Sequence, residues 1–329
     1  MTELLDSALE NRHTEAEAAQ PAIPEHQLLR LIGEGSGGQV WLARNAIGAY
    51  RAIKIVRKNA SQPGQHFARE FTGVFKFEPV SRLHDGLVDI LQVGVAEAAG
   101  YFYCVMELAD DVHSGQLIVP ERYVSRTLAY DLSQRRRLPI GECVRNGAAL
   151  ASALAFLHRH GLIHRDIKPS NIIFVNGFPK LADIGLVSAI SEPRSHIGTE
   201  GFIPPEGAGR PQADIYSLGK VLYQMSTGKD RNEYPELPAD LGHSADDRDL
   251  IRFNKIVLRA CRTRPVRRFR SAEELLTALL SFQFATSELH REEAHRFWSR
   301  LVGFSGLLIG LGFLTFCLLR LFHYLSQGQ

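Results

Sequence analysis

The chain has little of several things that would point its function elsewhere. Its four cysteines, Cys104, Cys143, Cys261 and Cys317, are scattered and never form a CxxC pair. That pattern argues against a disulfide framework and a cysteine zinc site, and it suits a reducing compartment. An excess of either charge is nearly absent: 38 Lys and Arg against 36 Asp and Glu leave a formal +2. With no RNA- or DNA-binding motif besides, no nucleic-acid partner is expected. Residues Met1 to Gln20 are acidic and lack an apolar core, so no signal peptide is expected there. The other end differs. Leu301 to Leu319 is uncharged, has only Ser305 and Thr315 as polar side chains, and is bounded by Arg300 and Arg320. At about 1.5 Å per residue such a run reaches roughly the thickness of a bilayer core. A single C-terminal membrane span is expected.

Chemistry concentrates in His164-Arg165-Asp166-Ile167-Lys168-Pro169-Ser170-Asn171. An acid, a lysine two residues on and an amide three further on suit a loop that sets a base on a hydroxyl, a cation on a phosphate and a ligand on Mg²⁺. The segment resembles the catalytic loop of protein kinases, and Lys168 resembles that of their serine/threonine branch.

Upstream, Gly33-Glu34-Gly35-Ser36-Gly37-Gly38-Gln39-Val40 fits GxGxxGxV. A dinucleotide-binding loop would open a helix, whereas here strand-like residues lie on both sides, with a turn near Asn45 to Gly48. Glycines between two strands make a flap, and side chains there would block close backbone approach to phosphates. The resemblance extends this nucleotide-binding segment from Ile32 to Val40 and adds Ala52. Lys54, in Ala52-Ile53-Lys54, is a charge inside an apolar strand, which is costly unless paired. The family pairs it with ATP phosphates and a helix glutamate. Glu70 is the expected partner: Val74 lies one turn beyond it, whereas Glu78 precedes Pro79 and is pushed out of helical geometry.

Tyr101 to Glu107 reads as a strand, with Leu108-Ala109 as a hinge. By resemblance, Met106 stands beside the adenine, the backbone of Glu107 and Ala109 bonds the base, and Asp110 or Asp111 reaches the ribose. Val112 to Leu138 is longer than a hinge exit needs, and its Arg135-Arg136-Arg137 run reads as a solvated helix end. Val144 to His160 has helical spacing, with Ala148, Ala151, Leu154, Ala155 and His158 on one face. His158, His160 and His164 straddle a helix end and Gly161, which speaks against a metal site.

Asp183-Ile184-Gly185 is similar to the family's Asp-Phe-Gly metal-binding motif, with isoleucine in place of phenylalanine. Gly198 to Glu206 resembles the end of the activation loop. There Thr199 would steady Asp166 and Lys168, and Glu206 would pair with Arg268. Asp214 would cap its helix and, by resemblance, also hold the catalytic loop. Ser271 with Glu274 has the spacing of a capping box. Arg165 would receive a phosphate from the activation loop, with Ser188, Ser191 and Ser195 as the candidate acceptors.

The resemblance covers Leu28 to Phe284 and implies an α+β, two-lobed protein kinase fold, an antiparallel-sheet N-lobe on a helical C-lobe, like bacterial kinases of the eukaryotic-like type. The expected division is a flexible extension (1–26), N-lobe and hinge (27–109), C-lobe (110–285), juxtamembrane segment (286–300), transmembrane helix (301–322) and short tail (323–329). The implied activity is ATP- and Mg-dependent phosphorylation of serine or threonine on proteins. In it Asp166, Lys168 and Lys54 are catalytic, and Asn171 and Asp183 hold the metal. The alternative is a pseudokinase scaffold that binds nucleotide or partners without catalysis. Arg291, Arg296 and Arg300 before the span place the kinase domain in the cytoplasm. Gly306 and Gly310 have a GxxxG spacing that would favour a homodimer.

Overall fold

The computed structural model describes residues 21–35, 37–58, 65–190, 198–242 and 244–289. The chain divides into two compact units, Met1–Leu279 and Leu280–Gln329; of the second, residues 280–289 are described and are helical. Most of the N-terminal extension, Ser36, Ser191, Ser195 and the expected membrane span lie outside the described residues. Among those described, no helix is long and apolar enough to cross a membrane.

The first unit opens with an antiparallel sheet of order β1-β2-β3-β5-β4, built from His26–Gly35, Gly38–Asn45, Tyr50–Arg57, Tyr101–Met106 and Ile90–Ala96 respectively. Burial follows this order. β5 is buried at every position and β3 from Ala52 to Val56, as interior strands should be, while edge strand β4 alternates more. Register sets Lys54 opposite Val40 on one side and Cys104 on the other. A charge therefore sits inside the best-buried part of the sheet.

Helix α1, Gln65–Ser81, packs along that sheet. Glu70, Val74, Phe77 and Ser81 are buried, a 4-3-4 spacing that marks one helical face. Phe67 and Phe71 meet Phe102 edge to face at 5.2 and 5.3 Å. The helix runs on through Pro79, against the expectation that Glu78 leaves helical geometry. Proline removes one N–H near the end of the helix. There the Ser81 hydroxyl donates to Glu78 O and accepts from Ile90 N, so tertiary contacts keep the last turn closed.

The second lobe is helical: α2 Leu128–Gln134, α3 Ile140–Arg159, α4 Pro211–Thr227, α5 Ala245–Ala260 and a final helix that begins at residue 272. Short strands β6 Leu162–Ile163, β7 Ile172–Val175, β8 Phe178–Leu181 and β9 Ser188–Ala189 lie between α3 and α4. Pro211 opens α4 and Gly228, at φ 69°, closes it, the usual proline–glycine asymmetry of helix ends. The arginine run is not a plain solvated end. It bridges α2 and α3, and each guanidinium has its own carboxylate: Arg135 on Glu142, Arg136 on Asp240 and Arg137 on Asp247.

Arg268 is almost fully buried. It meets both oxygens of Glu206 and donates to the carbonyls of Arg262, Gln212 and Thr263. A buried cation stripped of its counter-charge is strongly destabilising. Glu206→Ala is therefore expected to cost about 3 kcal/mol, read as a lower urea midpoint with an unchanged slope; an unshifted midpoint would show that the carbonyls suffice.

Candidate functional site

A cleft of about 460 Å³ lies between the sheet and the helical lobe. Its roof is the β1–β2 flap, with Ile32, Gly33, Glu34, Gly35, Gly37, Gly38 and Val40. Gly38 has φ 110°, and a Cβ there would come within 2.4 Å of Ile55 O, so the flap crosses β3 at a distance only glycine allows. Gln39 does not line the cleft; its amide donates to Glu34 Oε1 at 3.0 Å.

Lys54 enters the cleft from β3. Its Nζ stands 2.9 Å from Glu70 Oε2 and 2.7 Å from Asp183 Oδ1. Burial alone would push the ammonium down, but Asp183 and then Glu70 outweigh it and hold the lysine above its usual range. Asp183 is the converse: burial would raise its carboxyl, and Lys54 more than offsets that, holding it low. Glu78, the other sequence candidate, lies further along α1, where it pairs with Arg82. Two glycines make the close approach of Glu70 possible. A Cβ on Gly185 would fall 1.8 Å from the Glu70 carboxylate, and one on Gly73 would fall 2.8 Å from Gly185 O.

The loop from His164 to Asn171 forms the floor. Asp166 Oδ2 accepts from Asn171 Nδ2 and pairs with Lys168 Nζ, each at 2.8 Å, and its Oδ1 accepts from Thr199 Oγ1 at 2.7 Å. Lys168 in turn donates to Thr199 Oγ1 at 2.8 Å. The amide side of Asn171 is thus consumed, which leaves its carbonyl oxygen for the cleft it lines together with Asp183. Two oxygen donors of that kind fit a hard cation that fills the rest of its shell with phosphate and water.

Asp214 fixes this floor from beneath. Its two oxygens accept from the backbone N–H of His164 and of Arg165, each at 2.9 Å, and Oδ2 also meets His158 Nε2 at 2.9 Å. The helix-capping role expected for it is not what it does: Arg210 occupies the cap position of α4, with no side-chain bond. His158 Nε2 is thus taken up by Asp214, His164 Nδ1 accepts from Asp166 N at 3.4 Å, and His160 Nδ1 bonds Phe156 O at 2.9 Å.

At the hinge, Met106, Glu107, Leu108 and Ala109 line the cleft, beside Ala52 and Cys104. Glu107 is pinned from behind, its Oε1 accepting from Asp89 N and from Lys180 Nζ. Neither aspartate after the hinge reaches the cleft. Both are buried: Asp110 accepts from Asn176 N and Gly177 N, and Asp111 from the backbone of His113, Ser114 and Val124. Short loop segments need those acceptors for their own N–H groups. Tyr123, Ser125 and Thr127, from the long segment that follows, line the cleft instead, with Ser170 and Ile173. No spacing in the sequence singled these out.

Ser188 is also unlike its expectation. It is buried in the β6–β9 pairing, its hydroxyl without a hydrogen-bond partner, and is closed to a phosphate donor while that pairing holds.

A glycine flap over a lysine with two carboxylates, facing a clamped Asp–Lys–Asn loop across a hinge, defines a two-lobed nucleotide-phosphate site. The family profile for the protein kinase domain matches residues 26–286. The chain belongs to the protein kinase family. It is similar to a probable serine/threonine-protein kinase of Clostridium perfringens, with 26% identity over 76% of this chain and 37% of that one. A serine/threonine-protein kinase of Corynebacterium efficiens is 30% identical over 78% of this chain and 50% of its own. The chain thus spans about a third to a half of the length of the curated relatives it matches.

Asp214 gives a pH prediction. Burial would raise its carboxyl, but the His158 bond and the nearby imidazole charges hold it below the usual 3.8. A carboxylate depressed in the folded state stabilises fully above its unfolded value, and that stabilisation is lost as pH falls through the folded one. The melting-temperature gap between wild type and Asp214→Asn is expected to be full above about pH 5 and to narrow on acidification. A gap independent of pH would remove the ionised carboxylate as the cause.

Proposed function

We propose that the chain transfers the terminal phosphoryl group of ATP–Mg²⁺ to serine or threonine hydroxyls of proteins. The observation that carries this is Asp166, held by Lys168, Asn171 and Thr199 on a loop clamped by Asp214 and facing the Lys54–Asp183 pair. Phosphoryl transfer demands little beyond position and charge neutralisation, and this arrangement offers both. The flap glycines enclose the phosphates, and Lys54, kept charged by Glu70, binds them. Asn171 and Asp183 hold Mg²⁺, which neutralises charge on the phosphates when bound. Asp166 orients the acceptor hydroxyl and takes its proton, while Lys168 faces the transferred group. The Thr199 bridge between Asp166 and Lys168 supports the serine/threonine assignment, as do the printed names of the relatives. A scaffold without catalysis would have no need of Lys54, Asp166 and Asp183 together.

Lys54→Met, Asp166→Asn and Asp183→Ala are each expected to lower turnover by about a hundredfold or more, measured as transfer of labelled phosphate to a generic protein substrate. Full turnover in the Asp183 variant would sink the assignment.

The same proposal sets the catalytic unit in the cytoplasm, anchored by Leu301 to Leu319. It is supported by the apolar run itself and by Arg291, Arg296 and Arg300 on the kinase side, in keeping with the positive-inside tendency. Protease added to right-side-out vesicles is expected to leave the kinase domain whole; its digestion would overturn the topology. Pairing through Gly306 and Gly310 predicts less crosslinked dimer when both are changed to Ile, with insertion retained.

A further inference from the structure

Lys220 is a second interior cation, on α4 and 6% exposed, and it is met differently from Lys54. Its Nζ donates to Arg231 O at 2.9 Å and lies 4.4 Å over the Tyr234 ring and 5.7 Å from that of Tyr216. Burying an ammonium is unfavourable unless polar or π partners replace its water. Among the described residues a carbonyl and two aromatic faces do so here, with no carboxylate in the set. The place of the Arg231 backbone is therefore tied to α4.

Arg231 opens a single 3₁₀ turn, Arg231–Glu233. Asp230 Oδ1 accepts from Asn232 N at 2.9 Å and Glu233 Oε2 from Asp230 N at 2.8 Å, a reciprocal cap that fixes the turn. The Arg231 side chain reaches residues 199–202. Its Nε donates to Glu200 O at 3.0 Å, and its guanidinium lies 5.1 Å over the Phe202 ring. Gly201 has φ 83°, and a Cβ there would fall 2.6 Å from Arg231 Nε, so glycine is what lets the guanidinium in. Phe202 N donates back to Thr199 O at 3.1 Å, and Ser217 Oγ of α4 lies 2.8 Å from Phe202 O. Residues 199–202 thus form one turn, held to α4 by Ser217 and by Arg231 resting on Lys220. The residue that opens this turn is Thr199, whose hydroxyl bridges Asp166 and Lys168.

We propose that Arg231 is a positioning residue for phosphoryl transfer that acts through Thr199. It sets the turn at 199–202 so that one hydroxyl meets Asp166 and Lys168 together, and Lys220 is its anchor. The assignment rests on the phosphoryl-transfer reading of the site. Thr199 has a single proton, which it gives to Asp166 while it accepts from Lys168, so a displaced backbone loses both contacts at once. Arg231 lines an open groove of about 390 Å³ with Lys168, Ser170, Thr199, Phe202 and Gln224, and it does not line the nucleotide cleft. Its effect therefore falls on the acceptor side of the reaction and not on nucleotide binding.

The test is steady-state phosphate transfer to a generic protein acceptor by the full chain, with backbone amide exchange read alongside. Arg231→Ala is expected to lower kcat about ten- to hundredfold, to leave the KM for ATP unchanged and to speed exchange of the Phe202 amide. Thr199→Val should cost a similar factor, and the double variant should be no slower than Thr199→Val alone, since both remove one bridge. Arg231→Lys keeps a donor for Glu200 O without the flat face on Phe202, and should restore part of the rate. Lys220→Met leaves Arg231 O without its donor and should repeat the Arg231→Ala pattern in weaker form. If Arg231→Ala melts early, the Arg231→Lys and Lys220→Met proteins carry the comparison. An Arg231→Ala protein that melts like wild type and keeps its full kcat overturns the assignment, as does a double variant whose losses multiply. Active wild type with unchanged Phe202 exchange in Arg231→Ala overturns the brace and leaves the phosphoryl-transfer reading intact. Wild type that transfers no phosphate removes that reading, and the part of Arg231 in it.

Discussion

The ammonium of Lys54 is the constraint on which the upper half of the molecule depends. Leaving such a charge inside an interior strand is unfavourable unless opposite charges meet it there. Glu70 and Asp183 do so from two directions, at 2.9 and 2.7 Å. One comes from a helix laid along the sheet and the other from the helical lobe, so neutralising one lysine draws three parts of the chain to a point. The aromatic contacts of α1 with Phe102 hold the helix against the sheet, and the ion pairs set where along it the helix stops.

In the lower half the same economy is run with backbone N–H groups. Asp214, Asp110 and Asp111 are all nearly inaccessible, and all three spend their oxygens on main-chain donors of loops. Buried loops have no ladder to satisfy those groups. A carboxylate with several acceptor sites can satisfy them together, and it fixes the loop's path in doing so. The catalytic loop, the β7–β8 turn and the segment beyond the hinge are each shaped in this way, and the first and last of them line the cleft.

Sequence reasoning read this molecule well where function demands particular side chains at short spacing. Asp166, Lys168 and Asn171, or the glycines from Gly33 to Gly38, leave few alternatives, and the structure brings them around one cleft. It read poorly where a residue's role depends on what the fold carries to it. Asp110 and Asp111 look like sugar ligands because they follow the hinge, yet the N–H groups they satisfy belong partly to Asn176 and Gly177, more than sixty residues away. Tyr123, Ser125 and Thr127 carry no periodicity or motif, and only the return of their segment brings them to the cleft. Pro79 misled for a related reason, since packing of Val74, Phe77 and Ser81 overrode a local preference.

Gly73 and Gly185 touch from opposite sides of the Lys54 pair, each in space that a methyl group on it would fill. Neither residue has a left-handed φ, so it is volume, not backbone shape, that holds these positions to glycine. In the landscape of single substitutions this makes a blind alley from either side. Alanine at one position is not relieved by any change at the other, which has no side chain left to shorten. Room opens at Gly185 when the Glu70 side chain is shortened or swung away, and at Gly73 when α1 backs off from the Ile184–Gly185 backbone; either step loosens the Lys54 ion pair first.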